Sequence, residues 1–307
     1  MQKINAFTLI ELLVVIAIIG ILSALIVIGM NSTTQKASVA KAQVFANSLR
    51  NSLMADMVSE WKLDGGVAGN DAVFGDILDT WDTNNATAVG VAPGPVIKSG
   101  ADCVSGNCIS FDGGDDYVDF GNQMDFSMGT RDHTVSLWVK FDNAIAPTNE
   151  AMIRCGANDI GLGKDGYTIR REGGSNRLYV RFSDGMANNV ADYLSANGTL
   201  VADTWYNIVV IFDRDSTARA YINAFPQVGT LDIHLQNTDV QNILTLRIGL
   251  TLDGKMDEVR IFHAITTLSQ IQQNYFTGLN KLLANGAITH KEYDNRFAEF
   301  NSNYAKN

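Results

Sequence analysis

Glu11 is the only charged residue between Phe7 and Met30, inside the run A-F-T-L-I-E-L-L-V-V-I-A-I-I-G from Ala6 to Gly20. At about 1.5 Å per residue, a helix over Phe7–Met30 is roughly 30–36 Å long, enough to cross a bilayer. A carboxylate near mid-span costs about 2.5–3.5 kcal/mol, and less near the end, where Glu11 sits. The surrounding Leu and Ile each return roughly 0.3–0.6 kcal/mol. The segment can therefore anchor in a membrane, but Glu11 needs a cationic partner that the segment does not supply. Its chemistry is ion pairing at low dielectric, where removing one partner typically costs about 3–5 kcal/mol.

Other reactive side chains do not combine into a catalytic set. Retaining glycosidases need two carboxyls about 5–5.5 Å apart across one bond. Asp257 and Glu258 are adjacent on a predicted strand, so they should point to opposite faces. His133, His234, His263 and His290 are scattered, and neither H-E-x-x-H nor G-x-S-x-G occurs. The expectation is a protein that is not an enzyme. Asp257 should share a face with Val259 and Ile261 and so be buried, which calls for hydrogen-bond donors or a metal. Glu258 and Arg260 should form a solvated ion pair of small worth. Asp112–Asp116 lacks the spacing of an EF-hand loop and reads as a strand-entry turn, with a calcium site as the alternative. Trp138 and Tyr179 lie on polar strand faces, where they could stack on sugar rings or pack under the N-terminal helix or a loop.

The pattern K-x-x-x-F-T-L-I-E at Lys3–Glu11 resembles the leader and first turn of type IV pilins and the related pseudopilins. The resemblance implies cleavage by a prepilin peptidase between Ala6 and Phe7 and N-methylation of Phe7. It further implies that Glu11 pairs with the new amino terminus of a neighbouring subunit during assembly. A secretory signal, by contrast, is cut after its apolar region and carries no acid within it. Position 6 is Ala where the family usually has Gly. No Pro interrupts the apolar run, so a kink would have to come from Gly20 or Gly29.

The chain has 307 residues and a net charge of −10. Lys3, Lys36, Lys41 and Arg50 against Glu11, Asp56 and Glu60 leave +1 for residues 1–60, hence −11 for the rest. An acidic body is a poor phosphate binder, so no nucleic-acid partner is expected. Cys103 and Cys108 enclose V-S-G-N, a turn that a disulfide could close in an oxidising compartment, and Cys155 is left over as a buried, inert thiol.

The elements that position these residues follow from composition. Between Gly29 and Gly65 there is no Gly or Pro, and Ala46, Leu49, Leu53 and Met57 form a helical stripe. One long helix is predicted over 7–60, after a leader at 1–6. From Trp61, short alternating runs take over: His133–Phe141, Tyr167–Glu172 turning through Gly173–Asn176 into Arg177–Ser183, Trp205–Asp213, Arg219–Asn223, Leu244–Gly249 and Met256–Phe262. They predict an antiparallel sandwich over 61–278. Thr267-x-x-Gln270 predicts a capped short helix. Leu279–Asn307 reads as a separate helical hairpin packed on the sandwich, its stop at Asn285-Gly286 and its second helix capped by Thr289-x-x-Glu292. The fold class is thus mainly β, with a long N-terminal helix and a short C-terminal helical hairpin.

The series I-S-F-D-G-G-D-D-Y-V-D-F, H-T-V-S-L-W-V-K-F, T-W-Y-N-I-V-V-I-F-D, L-R-I-G and G-K-M-D-E-V-R-I-F resembles laminin-G-like jelly rolls of the concanavalin A-like lectin/glucanase superfold. That resemblance implies a Ca²⁺ held by Asp257 and by oxygens of the first strand around Trp61–Gly65, with Asp64 as the second carboxylate. Together the two resemblances imply a structural filament subunit that displays a lectin-like domain. The alternative is a minor pilin or type II secretion pseudopilin acting as an adhesin for a glycan or surface protein. Its partners would be the prepilin peptidase, the pilus assembly machinery and further copies of itself. It would be a single-pass protein of the inner membrane first, then part of an extracellular pilus or periplasmic pseudopilus.

Overall fold

A computed structural model describes residues 56–304, apart from residues 74, 123–125, 127, 162–163, 187–189, 230 and 236–244. The leader, Phe7, Glu11 and nearly all of the expected N-terminal helix lie outside the described residues. Among those described, no helix is long and apolar enough to cross a membrane.

In chain order the strands are β1 (Met57–Trp61), β2 (Thr87–Val89), β3 (Val96–Ser99), β4 (Asn107–Asp112), β5 (Tyr117–Asn122), β6 (His133–Phe141), β7 (Glu150–Gly161) and β8 (Lys164–Arg171). There follow β9 (Leu178–Asp184), β10 (Val190–Leu194), β11 (Trp205–Phe212), β12 (Thr217–Ile222), β13 (Phe225–Pro226), β14 (Leu231–Asp232), β15 (Thr245–Ile248) and β16 (Asp253–Phe262). Two helices close the chain, α1 (Leu268–Ala284) and α2 (His290–Tyr304). One sheet runs β13-β12-β11-β6-β16-β4-β3, with β1 on β16 and β14 on β12. The other runs β10-β9-β8-β7-β15-β5-β2. All pairings among the described strands are antiparallel, as the alternating runs predict, and the two sheets form a jelly-roll-like sandwich.

Side-chain alternation assigns the faces. Val135, Leu137, Val139 and Phe141 of β6 enter the main core with Tyr206, Ile208, Val210 and Phe212 of β11. The opposite face of these strands is also buried. There Trp138, Trp205, Val209 and Ile211 meet Ile271, Tyr275, Leu279 and Leu282 of α1 in a second apolar cluster. Those four α1 residues recur at helical spacing, and full burial of such side chains is worth about 1.5–3 kcal/mol each.

Two boundaries differ from expectation. Residues 57–60 do not continue a helix: Met57–Trp61 is a strand, with Trp61 opposite Val259 and Met57 opposite Phe262. Met57 meets the helical stripe only by coincidence of spacing, and pairing with β16 decides its conformation. The helix after Thr267 is not short. Its capping box forms as predicted, but it runs 17 residues, past the expected boundary at 278. Gly278 lies inside α1. A Cβ there would lie 2.3 Å from the Trp138 ring, so glycine lets α1 approach the sheet. α2 packs back through Phe276–Phe300 and Phe225–Tyr304 ring contacts, and the Tyr304 hydroxyl donates to Ala224 O at 2.7 Å.

Candidate functional site

Cys103 and Cys108 are joined by a disulfide, with their Cα atoms 5.4 Å apart. The six-residue loop they close is gripped from two sides by the acids singled out in the sequence. Asp257 Oδ2 accepts from the Val104 and Ser105 amides at 2.9 and 3.0 Å, and its Oδ1 accepts from the Glu258 amide at 2.8 Å. Asp64 Oδ1 accepts from Asn107 N at 2.9 Å, while Asn107 Nδ2 donates to Asp64 O. Asp257 is fully buried, and burial together with the neighbouring Glu258 charge pushes its carboxyl well above the usual range, against these amides. Three N–H donors already point at Asp257, and a metal would have to displace them. The Asp257 and Asp64 carboxylates do not fit the expected Ca²⁺; they organise the disulfide loop.

Asp257 also lies on the other side of the sheet from the one expected. It pairs with Trp138, and Arg260 pairs with Ser136, so three steps on β16 match two on β6. That extra residue is a β-bulge, and Glu258 carries its positive φ of 50°. Directly opposed residues share a face, which puts Asp257 with Trp138 under the helices, while Val259 and Ile261 reach the main core. Glu258 is not solvated either. Its side chain is 3 % exposed and contacts both Arg260 and Lys281 of α1, and Arg260 Nε donates to Glu60 Oε1 at 2.9 Å. Burial alone would raise the Glu258 carboxyl, but Arg260 and Lys281 outweigh it and hold the group below the usual range.

Neither aromatic offered for sugar stacking is available. Trp138 is 1 % exposed and stacked on Tyr275, with ring centroids 5.9 Å apart. The Tyr179 ring carries the Arg170 guanidinium 3.9 Å from its centroid and that of Arg181 at 5.5 Å. Cys155 is buried, and burial pushes its thiol well up, as suits an inert residue. The histidines are less scattered than the sequence suggests. The His133 and His263 rings lie 5.4 Å apart, and buried His133 meets the Tyr167 hydroxyl at 3.3 Å.

A cleft that sequence reasoning missed lies where α2 meets the edge of the larger sheet. It has a volume of about 380 Å³, and Asn223, Phe225, Gln227, Tyr275, Arg296 and Glu299 are among its lining residues. Arg296 is fixed by donating to Trp205 O at 2.9 Å and to Glu292 at 2.7 Å. Asn223 and Ala224 both have positive φ in the β12–β13 turn, the one local feature that Asn223 in the sequence signals. Such a mix of aromatic, amide and charged groups suits a small polar ligand.

Among the described residues, one group of acids brings three ligand oxygens within 4.8 Å of one another: Asp112, Asp115 and Asp116. Burial, then Asp112, with smaller contributions from Asp115 and Asp71, pushes the Asp116 carboxyl up to about 6, against a hydrogen bond from the Asp112 amide.

Comparison with known proteins gives two family matches. Residues 1–27 match the prokaryotic N-terminal methylation motif, and residues 112–272 match the concanavalin A-like lectin/glucanases superfamily. No curated protein matches the sequence. Among solved structures, the binding domain of Paraclostridial Mosquitocidal Protein 1 is similar, at a TM-score of 0.55 and 15% identity, over 74% of this chain and 53% of that one. The botulinum neurotoxin serotype D binding domain gives 0.53 and 14%, over 75% and 52%. A serotype D ligand-binding domain in complex with N-acetylneuraminic acid gives 0.53 and 13%, over the same shares. The chain thus spans about half the length of these toxin domains, and at such identities the likeness is one of fold. The chain carries the N-terminal methylation motif of type IV pilins and belongs to the concanavalin A-like lectin/glucanases superfamily.

Proposed function

We propose that this protein is a type IV pilin-like subunit that displays a lectin-like domain on a surface filament. The observation that carries the reading is the co-occurrence, in one chain, of a methylation motif at 1–27 and a lectin-superfamily domain at 112–272. The prepilin peptidase removes 1–6, Phe7 becomes the methylated terminus, and the apolar helix from Phe7 holds the subunit in the inner membrane until the assembly machinery extracts it. Glu11 then pairs with the amine of Phe7 in a neighbouring copy, since two charges costly to bury apart favour the register that joins them. The disulfide between Cys103 and Cys108 agrees with an oxidising destination. We read the domain as binding rather than catalytic. Glu258, the acid beside Asp257, is tied up by Arg260 and Lys281, which leaves no free carboxyl pair there.

A second reading makes the protein a minor pilin or pseudopilin acting as an adhesin. It draws on the fold likeness to a toxin domain seen with N-acetylneuraminic acid and on the cleft around Phe225 and Arg296. The assembly role is tested with Glu11→Val: the variant should insert in the membrane at normal levels yet leave sheared filaments devoid of this subunit. Normal incorporation would remove the pairing role.

A further inference from the structure

The loop Asp112–Asp116 joins β4 of one sheet to β5 of the other, and the segment between β2 and β3 crosses between the same two sheets. The two crossings touch. Val91 N donates to Asp115 Oδ2 at 2.7 Å, and the Asp116 carboxylate faces Gly90, where a Cβ would come within 2.3 Å of Oδ1. Within the loop each remaining carboxylate also spends one oxygen on an amide, Asp112 Oδ1 on Gly114 N at 2.8 Å and Asp116 Oδ2 on Asp112 N at 3.3 Å.

Asp116 Oδ1 is different. Asp116 is 2 % exposed, and this oxygen is buried with no hydrogen-bond partner among the described residues. A buried carboxylate oxygen without a donor is expensive and calls for a proton or a cation. Asp112 and Asp115 are exposed beside it and keep their second oxygens for a shared ligand. Ca²⁺ binds oxygen at about 2.3–2.6 Å, so oxygens across one ion stand up to about 4.6–5.2 Å apart. The observed limit of 4.8 Å falls in that window.

We propose that Asp112, Asp115 and Asp116 form a calcium site that clamps the two sheet-crossing segments together. Glycine at position 90 leaves the approach to the buried oxygen open. Ca²⁺ is favoured over Mg²⁺ because three carboxylates on a loop supply a flexible, oxygen-rich shell, whereas Mg²⁺ demands a near-ideal octahedron and keeps several waters.

The test uses the full chain purified in detergent, stripped with EDTA and then titrated with Ca²⁺ or Mg²⁺, reading calorimetric heat and thermal midpoint. Ca²⁺ should bind and raise the midpoint, and Mg²⁺ at equal concentration should do less. Asp116→Asn and the exposed Asp115→Asn should each weaken Ca²⁺ binding by more than about tenfold. Asp64→Asn, on the disulfide loop, should leave it unchanged. No heat and no midpoint shift in the wild-type chain would overturn the proposal. So would wild-type affinity in Asp115→Asn, or a response lost only in Asp64→Asn.

Discussion

Asp257 on β16 and Asp116 in the β4–β5 loop are both almost wholly buried acids, 0 % and 2 % exposed, yet they are solved differently. Around Asp257 the protein supplies everything. Three amides saturate the carboxylate, a disulfide closes the loop that donates two of them, and α1 covers the whole. Around Asp116 the protein supplies one amide and two further negative charges, leaving an oxygen bare. Buried charge alone therefore does not mark a metal site. What distinguishes the two is whether donors or other acids complete the shell.

The sharpest way to break this contrast is Asp257→Ala. It strands buried amides, so the domain should lose about 3–5 kcal/mol in urea denaturation, equally with Ca²⁺ or with EDTA. A loss that appears only with Ca²⁺ present would return the metal to Asp257. Next comes Cys103→Ser with Cys108→Ser. A closed loop this short confines the unfolded chain by about 2 kcal/mol, and the Asp257 amides should remain in place. A loss as large as that of Asp257→Ala would mean that the disulfide, not the acid, organises the loop. The smallest effect is expected from exposed Asp115→Asn in EDTA, within about 0.5 kcal/mol of wild type, despite its effect on Ca²⁺ binding.

Much of this architecture can be read from residue order. The run His133–Phe141 matches the bounds of β6, and Thr267–Gln270 forms its capping box. The disulfide follows from a spacing that only a tight loop can bridge. The misreadings share one cause: each applied a local period where a distant partner decides. Strict alternation placed Asp257 in the core because a bulge at Glu258 leaves no mark in composition. The sequence places the cover over Trp138 in the N-terminal helix or a loop because the true one, α1, begins about 130 residues later in the chain. The boundary at 278 falls inside α1 because Gly278 makes room for that tryptophan, which no local pattern shows. The cleft around Phe225 and Arg296 joins a hairpin to a helix about 70 residues away, and no local pattern announces it.

The claim beneath the whole account is that the chain is cut before Phe7 and assembled. Mass spectrometry of the amino-terminal peptide from filaments sheared off cells tests it most directly. The account predicts a terminus at N-methylated Phe7 in filament material; protein that still begins at Met1 and is absent from filaments would contradict it.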